Sequence, residues 1–307
     1  GIQTFDSSML KKMGRDAFGD QTTITNVVRV AQERGMTVSG DLMFNLPWQT
    51  VDEMRNDVRI AVESGLDHIG LYHLVAFRGL GTEFSRDEHL LAGLPDNKTA
   101  CGNWEVLRGD LLQREFQQTT LTNFERDSLF GTPQRYQYEE LSFRPERFEM
   151  LGFGPSGISF AADREFHSAW KTINPVNSVE YMKAVQSESL TAERYFHYGL
   201  PDLRILYLTR RLSALDINRK DYRDLFANEI EGAFDAEMLT LEKEGFWECS
   251  GDQMRPTPRG MFYSDSISAL LAWRRLIDIR HRRRAEDLQG PSVLNGPDLN
   301  ENAPAHM

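Results

Sequence analysis

Ser39-Gly40-Asp41-Leu42-Met43-Phe44-Asn45-Leu46-Pro47-Trp48-Gln49-Thr50 reads as a buried strand that ends in a polar turn and feeds a helix from Val51. One carboxylate, Asp41, interrupts the apolar run. A charge inside a strand is costly unless paired or hydrogen-bonded. Asp41 is therefore either a local hydrogen-bond anchor or, at the strand end of a β/α unit, a ligand contact. The sequence leaves both open at this point.

Working outward, residues 1–5 read as a short strand, and Asp6-Ser7-Ser8 caps a short helix at 9–13. Residues 22–34 place Ile24, Val27, Val28 and Ala31 on one helical face, closed by Gly35. The strand at 37–44 leads to a helix at 51–64 with Met54, Val58, Ala61 and Val62 inward, and then to a strand at 68–76. Such β-α-β-α-β alternation predicts parallel strands with right-handed crossovers. Residues 77–95 are a polar excursion. A helix follows at 97–113, with Trp104, Val106, Leu107 and Leu111 for packing, and a strand at 119–124. Residues 125–149 read as an irregular, substrate-facing loop. Three glycines among the apolar residues of 150–160 suggest close backbone approach. After a helix at 179–187, residues 193–260 carry three helices (203–212, 221–226, 234–244) and a hairpin around Ser250-Gly251-Asp252, a winged-helix pattern. A last helix runs through Leu276.

The totals exclude several classes. The chain has 307 residues, 40% apolar and 26% charged, with a formal net charge of -11. That balance argues against general nucleic-acid binding. No apolar run reaches the roughly 20 residues of a membrane span. The basic run at 280–284 reads as the charged end of a helix. Cys101 and Cys249 stand far apart, which fits a reducing cytoplasm better than a disulfide framework. The chain opens at Gly1 directly in a strand-like segment, so a portion of a longer protein is expected.

Three groups of residues resemble one family. Gly1-Ile2-Gln3-Thr4-Phe5-Asp6, then Gly14-Arg15, then Asp41-Leu42-Met43-Phe44-Asn45-Leu46-Pro47-Trp48-Gln49-Thr50 follow the pattern of the radical S-adenosylmethionine (SAM) proteins. Within them the chain is similar to the oxygen-independent coproporphyrinogen III oxidase-like (HemN/HemW-like) branch. Leu71-Tyr72-His73-Leu74, Leu94-Pro95-Asp96 and the run from Leu151 to Ser159 agree with it, so the resemblance covers about residues 1 to 280. It implies an α/β fold: the C-terminal part of a partial (β/α)6 barrel, then an α+β, winged-helix-like domain. The expected division is 1–80 for the later β/α units, 81–190 for the barrel edge and substrate-facing region, 191–280 for the helical/winged-helix-like domain, and 281–307 for a disordered tail.

The resemblance also implies SAM and a [4Fe-4S] cluster. The C-x-x-x-C-x-x-C segment that binds the cluster in the family is absent from this sequence, and two distant cysteines do not replace it. Carried over singly, Gln3 contacts SAM, Arg15 pairs with its carboxylate through a two-pronged guanidinium, Asp41 accepts from the ribose hydroxyls, and Val75 lies by adenine. Tyr136, Gln137 and Ile158 correspond roughly to contacts with a second SAM. Each has a plainer reading as a surface, loop or core residue. The chaperone-type signature near 135–140 lacks its histidine and asparagine here. His73 reads as a core histidine or as a substrate-facing one.

Three functions are therefore expected. The first is the C-terminal portion of a cytoplasmic radical SAM oxidoreductase or transferase. It would act on a tetrapyrrole or other small molecule, with a reductant for the cluster and no nucleic-acid or membrane partner. The second is a heme- or tetrapyrrole-binding chaperone. The third is a fragment without activity of its own.

Overall fold

The computed structural model describes residues 1–15, 17, 20–76, 86–187 and 192–289, the last seven of these by backbone only. The chain forms two compact units, Gly1–Gln137 and Tyr138–Met307. That boundary falls inside the expected 81–190 segment.

The first unit runs α1 (Ser7–Lys12), α2 (Gln21–Gln32), β1 (Ser39–Phe44), α3 (Val51–Glu63), β2 (His68–His73), α4 (Glu88–Ala92), α5 (Asn97–Gln113), β3 (Phe116–Gln118) and β4 (Asn123–Arg126). Caps written in the sequence set the helix starts. The Asp6, Asp20 and Asp96 carboxylates accept from Met9 N, Thr23 N and Thr99 N. Thr50 and Glu53 form a reciprocal capping box on α3, which explains why a threonine closes the opening turn. Gly35 and Gly65, at φ of 71° and 85°, end α2 and α3 in a conformation that side chains resist.

The sheet order is β1-β2-β4-β3. β1 and β2 are parallel, with Asp41 opposite Gly70, whereas β4 pairs antiparallel with both β2 and β3. The parallel expectation for residues 1–76 thus holds, and β4 adds an antiparallel return that it did not cover. The expected strand at 1–5 is a single parallel bridge, Gln3 with Leu42. Strand alternation sorts the side chains. Leu42, Phe44, Ile69, Leu71 and Phe124 share one face and are buried. Met54, Val58 and Ala61 of α3 and Trp104, Leu107 and Leu111 of α5 are buried with them, and Trp104 stacks on Phe44 at 6.0 Å. Val27 and Val106, expected inward, are 58% and 40% exposed. The other face carries Ser39, Asp41, Met43, His68, Gly70, Tyr72, Asn123 and Glu125.

A buried carboxylate fixes the leading segment to this scaffold. Asp57, on the inner side of α3, accepts from Thr4 Oγ1 at 2.7 Å, Phe5 N at 2.7 Å and Gln49 Nε2 at 3.1 Å. Gln49 Oε1 in turn accepts from Leu46 N. One side chain therefore joins the leading segment, the turn after β1 and α3.

The second unit runs α6 (Tyr138–Ser142), β5 (Ile158–Ala162), β6 (Ala169–Ile173), α7 (Ser178–Gln186), β7 (Arg194–Tyr198), α8 (Leu200–Ser213), β8 (Ile217–Asn218), α9 (Arg219–Phe226), α10 (Ile230–Lys243), β9 (Trp247–Ser250), β10 (Gln253–Pro256), α11 (Pro258–Phe262) and α12 (Ser264–Gln289). Its two antiparallel sheets are β5-β6-β7 and β8-β10-β9. One core joins Phe160, Phe166, Tyr207, Tyr222, Phe226 and Trp247 with Ile267 and Leu271 of the last helix. That helix continues to Gln289, past the expected start of a tail at 281. The charged run there extends a helix already nucleated by apolar packing upstream. The remaining expected tail, 290–307, lies outside the described residues, as do 77–85 of the expected excursion.

Burial raises the Asp57 carboxyl from its ordinary value to about 6, against the pull of its three donors. The folded state then holds the proton more tightly than the unfolded state between pH 4 and 6. Asp57 thus adds stability at low pH that is lost as pH rises through 6. In urea unfolding, Asp57→Asn should lose roughly 1–3 kcal/mol, because an amide cannot accept from all three donors. The gap from wild type should shrink by about 3 kcal/mol or less between pH 4 and pH 7.

Candidate functional site

The leading segment lies along β1. Ile2 N and Gln3 N both donate to Asp41 O, at 2.9 and 2.8 Å, and Met43 N donates to Gln3 O at 2.7 Å. Gln3 adopts φ of 73°, a left-handed conformation uncommon for a side-chain-bearing residue. A β-carbon built on Gly1 would lie 2.4 Å from the Gln3 amide nitrogen and 3.6 Å from Asp41 Oδ2. Arg15, just past α1, donates from Nη2 to Gly1 O at 2.6 Å. Three residues separated by 38 positions thus converge on one spot: Gln3, Arg15 and Asp41.

Asp41 lies on the open face of the sheet, its side chain 45% exposed. Room for it comes from the opposite position on β2. A β-carbon at Gly70 would stand 2.7 Å from both Asp41 Oδ1 and the Tyr72 ring. The cost of a charge within a strand is avoided because this charge faces outward. The set offers a carboxylate acceptor, an amide that both donates and accepts, and a guanidinium. These groups can bind a vicinal diol and a carboxylate together.

The other expected contacts have different settings. Val75 lies two residues beyond β2 and is 53% exposed. Tyr136 lies on the same sheet face as Asp41, further toward the strand beginnings. Its ring sits 4.3 Å from that of His68, and its N–H donates to Glu125 at 2.6 Å. Gln137 is exposed at the end of the first unit. Ile158 begins β5 in the second unit, opposite Ile173. Its backbone passes so close to Gly152 that a β-carbon there would meet Ile158 N at 2.2 Å. Asn174 locks that glycine-rich turn by donating to Gly152 O and Gly154 O. This gives the glycines a structural role in backbone approach.

Sequence reasoning missed two groups. Asp57 falls in the inward stripe Met54-Asp57-Val58-Ala61, and a carboxylate at that spacing was the available signal. The second is the cluster of Ser39, His68, Glu125 and Tyr136. Ser39 Oγ and His68 Nδ1 are 2.7 Å apart, and Glu125 is fully buried with Arg135 Nε at 4.0 Å. It had no sequence signal, since the pairing of His68 with Glu125 depends on β4 folding back. His73 lies on the helix-covered face, its ring 5.3 Å from Phe44. This is the core position, not a substrate-facing one.

The two cysteines lie in different units, Cys101 buried on α5 and Cys249 exposed on β9. Among the described residues, no three His, Cys, Asp or Glu are grouped to hold a metal ion. Two cysteines on different elements do not supply the several thiolates that an iron–sulfur cluster needs.

No family model matches the chain. It is 26% identical over 189 residues to the heme chaperone HemW of Lactococcus lactis, covering 61% of this chain and 46% of that one. It is 23% identical over 290 residues to the oxygen-independent coproporphyrinogen III oxidase of Synechocystis, covering 88% and 59%. The solved coproporphyrinogen III oxidase HemN from Escherichia coli, a radical SAM enzyme, superposes with a TM-score of 0.67 at 16% identity, covering 88% of this chain and 62% of that chain. That likeness shows a shared mixed α/β fold. The chain spans about half to three-fifths of the length of these relatives.

Burial holds the His68 and His73 imidazoles near pKa 4, below their ordinary 6.5. Their neutral forms stabilise the fold above pH 6.5, and this contribution is lost as pH falls toward 4. Imidazole NMR titration should give both rings midpoints close to 4. A midpoint near 6.5 for either would place that ring in solvent.

Proposed function

We infer that this chain belongs to the HemN/HemW-like branch of the radical SAM proteins and that it supplies that branch's SAM-binding edge. Gln3, Arg15 and Asp41 are the residues that hold the molecule. Their convergence around Gly1 carries the reading. Asp41 accepts from the ribose hydroxyls, Arg15 faces the carboxylate, and Gln3 orients the ligand by donating and accepting. Val75 extends the site toward the adenine. Tyr136, Gln137 and Ile158 stay as weaker candidates for a second SAM.

SAM held by Gln3, Arg15 and Asp41 would supply the branch's radical chemistry once reduced by one electron from the cluster. With two cysteines in separate units, this chain's part is to bind and orient. The branch's [4Fe-4S] cluster and its reductant would have to come from outside this chain, in what we take to be an oxidoreductase or transferase. Its substrate class is a tetrapyrrole or another small molecule, and its setting is the cytoplasm. No helix among the described residues is long and apolar enough to cross a membrane. The three-helix and hairpin arrangement from α8 to β10 we read as a winged-helix-like packing module.

A second reading has comparable support. Relatives named heme chaperone HemW align with this chain, and a tetrapyrrole carrier would use the same scaffold. Heme titration followed by absorbance separates the two readings: a saturable Soret shift favours the carrier.

In the gene product that contains this chain, Asp41→Ala should weaken SAM binding by about tenfold or more, the loss expected for hydrogen bonds to a charged group. Gly70→Ala should do nearly as much, by crowding Asp41 from across the strand pair. Calorimetric titration reads both. Unchanged affinity in Asp41→Ala contradicts the assignment.

A further inference from the structure

The β5-β6-β7 sheet of the second unit carries positive charge on one face. Strand register places Phe160, Lys171 and Phe196 in one row, and Ile158, Ile173 and Arg194 in the next. Residues two apart on a strand share a face, so Lys171 and Arg194 are diagonal neighbours about 7–8 Å apart. The opposite face carries Trp170, Tyr195 and His197, all exposed. Toward Ala169 the Lys171 face enters the core, and toward Ile173 it stays half-open. Arg210 of α8 adds a third cation. It lies over the Phe143 ring at 5.6 Å and is in the field of Lys171 and of Tyr198, Tyr138 and Glu139.

Two of these cations have nothing to balance them. Among the described residues, neither Lys171 nor Arg194 makes a hydrogen bond or an ion pair. Both are half-buried, and neither charged end is sealed from solvent. Burial first, then Arg210 and Arg194, hold the Lys171 ammonium below its ordinary pKa, and no carboxylate opposes them. Glu139 is in the field of Arg210 but not of Lys171. Like charges side by side on a sheet are destabilising. The chain has 46 acidic against 35 basic residues, so a row of cations without a facing carboxylate departs from its average surface.

We propose that this face binds a small organic anion, with its carboxylate or phosphate oxygens between Lys171 and Arg194 and its apolar body along Phe196. The ammonium and the guanidinium both donate to anionic oxygens, and a bound negative charge offsets their mutual repulsion. A cation would be repelled, and a neutral molecule would leave the repulsion in place. Of the residues discussed as SAM contacts, only Ile158 borders this face. Lys171, Arg194 and Arg210 stand apart from the Gln3, Arg15 and Asp41 set, so the inference does not rest on the function proposed above.

Calorimetric titration of the whole chain with benzoate, phenyl phosphate and neutral benzamide tests this, with backbone amide NMR to locate the binding. Benzoate or phenyl phosphate should shift Lys171, Arg194 and Phe196, and the tighter of the two identifies the headgroup. Benzamide should bind at least about tenfold more weakly. Lys171→Gln and Arg194→Gln each relieve repulsion, so both variants should fold, and each should weaken the better anion about fivefold or more. The double variant should lose binding altogether. Three results overturn the proposal: no shift on β6 or β7 at about 20 mM of either anion, benzamide binding as well as the anions, or unchanged affinity in both single variants.

Discussion

The Asp57 carboxylate is the constraint on which the first unit's site depends. Buried on α3, it needs donors, and it takes three of them from two segments, the leading segment and the turn after β1. Thr4 and Phe5 are drawn onto the scaffold, which places Gln3 against β1. Gln49 is drawn in from the turn, which fixes the chain between Asn45 and the capping box of α3. The leading segment makes only one bridge to the sheet, at Gln3 and Leu42. Without Asp57 its position beside Asp41 would rest on that bridge, a few backbone hydrogen bonds and the Arg15 contact. A buried carboxylate thus holds in place the segment that lies beside Asp41.

The sheet separates these two roles by face. One face is continuous with the helices through Phe44, Trp104 and Phe124 and supplies the burial that holds the unit together. The other is polar, and its groups are costly only where they are covered. His68 and Glu125 are covered and have local partners in Ser39, Tyr136 and Arg135. Asp41 is left half open because Gly70 withholds a side chain. That glycine decides whether the carboxylate points into usable space.

Much of this was legible in the sequence. Periodicity located α2, α3 and α5, caps located their starts, and the polar break at Asp41 marked the site. Where periodicity failed, the cause was tertiary. Val27 and Val106 lie on faces that no partner covers within the described residues. The antiparallel return of β4 lies beyond the alternation of residues 1–76, which carries no signal for it. The charged run after Arg280 remains helical because apolar packing upstream nucleates it. The convergence of Gln3, Arg15 and Asp41 came from resemblance, since nothing in spacing alone joins positions so far apart. Asp57 stayed hidden because a carboxylate in an amphipathic helix ordinarily faces water. Ile158 begins a strand of the second unit.

The central claim is that the open face beside Gly70 is a ligand face held in place by the leading segment. It is tested most directly by backbone amide NMR of this chain titrated with S-adenosylhomocysteine. The account predicts shifts confined to Gln3, Arg15, Asp41, Gly70 and their strand neighbours, with Leu107 and Leu111 on α5 unmoved. Shifts centred on residues 138–289, or none at saturating ligand, would contradict it.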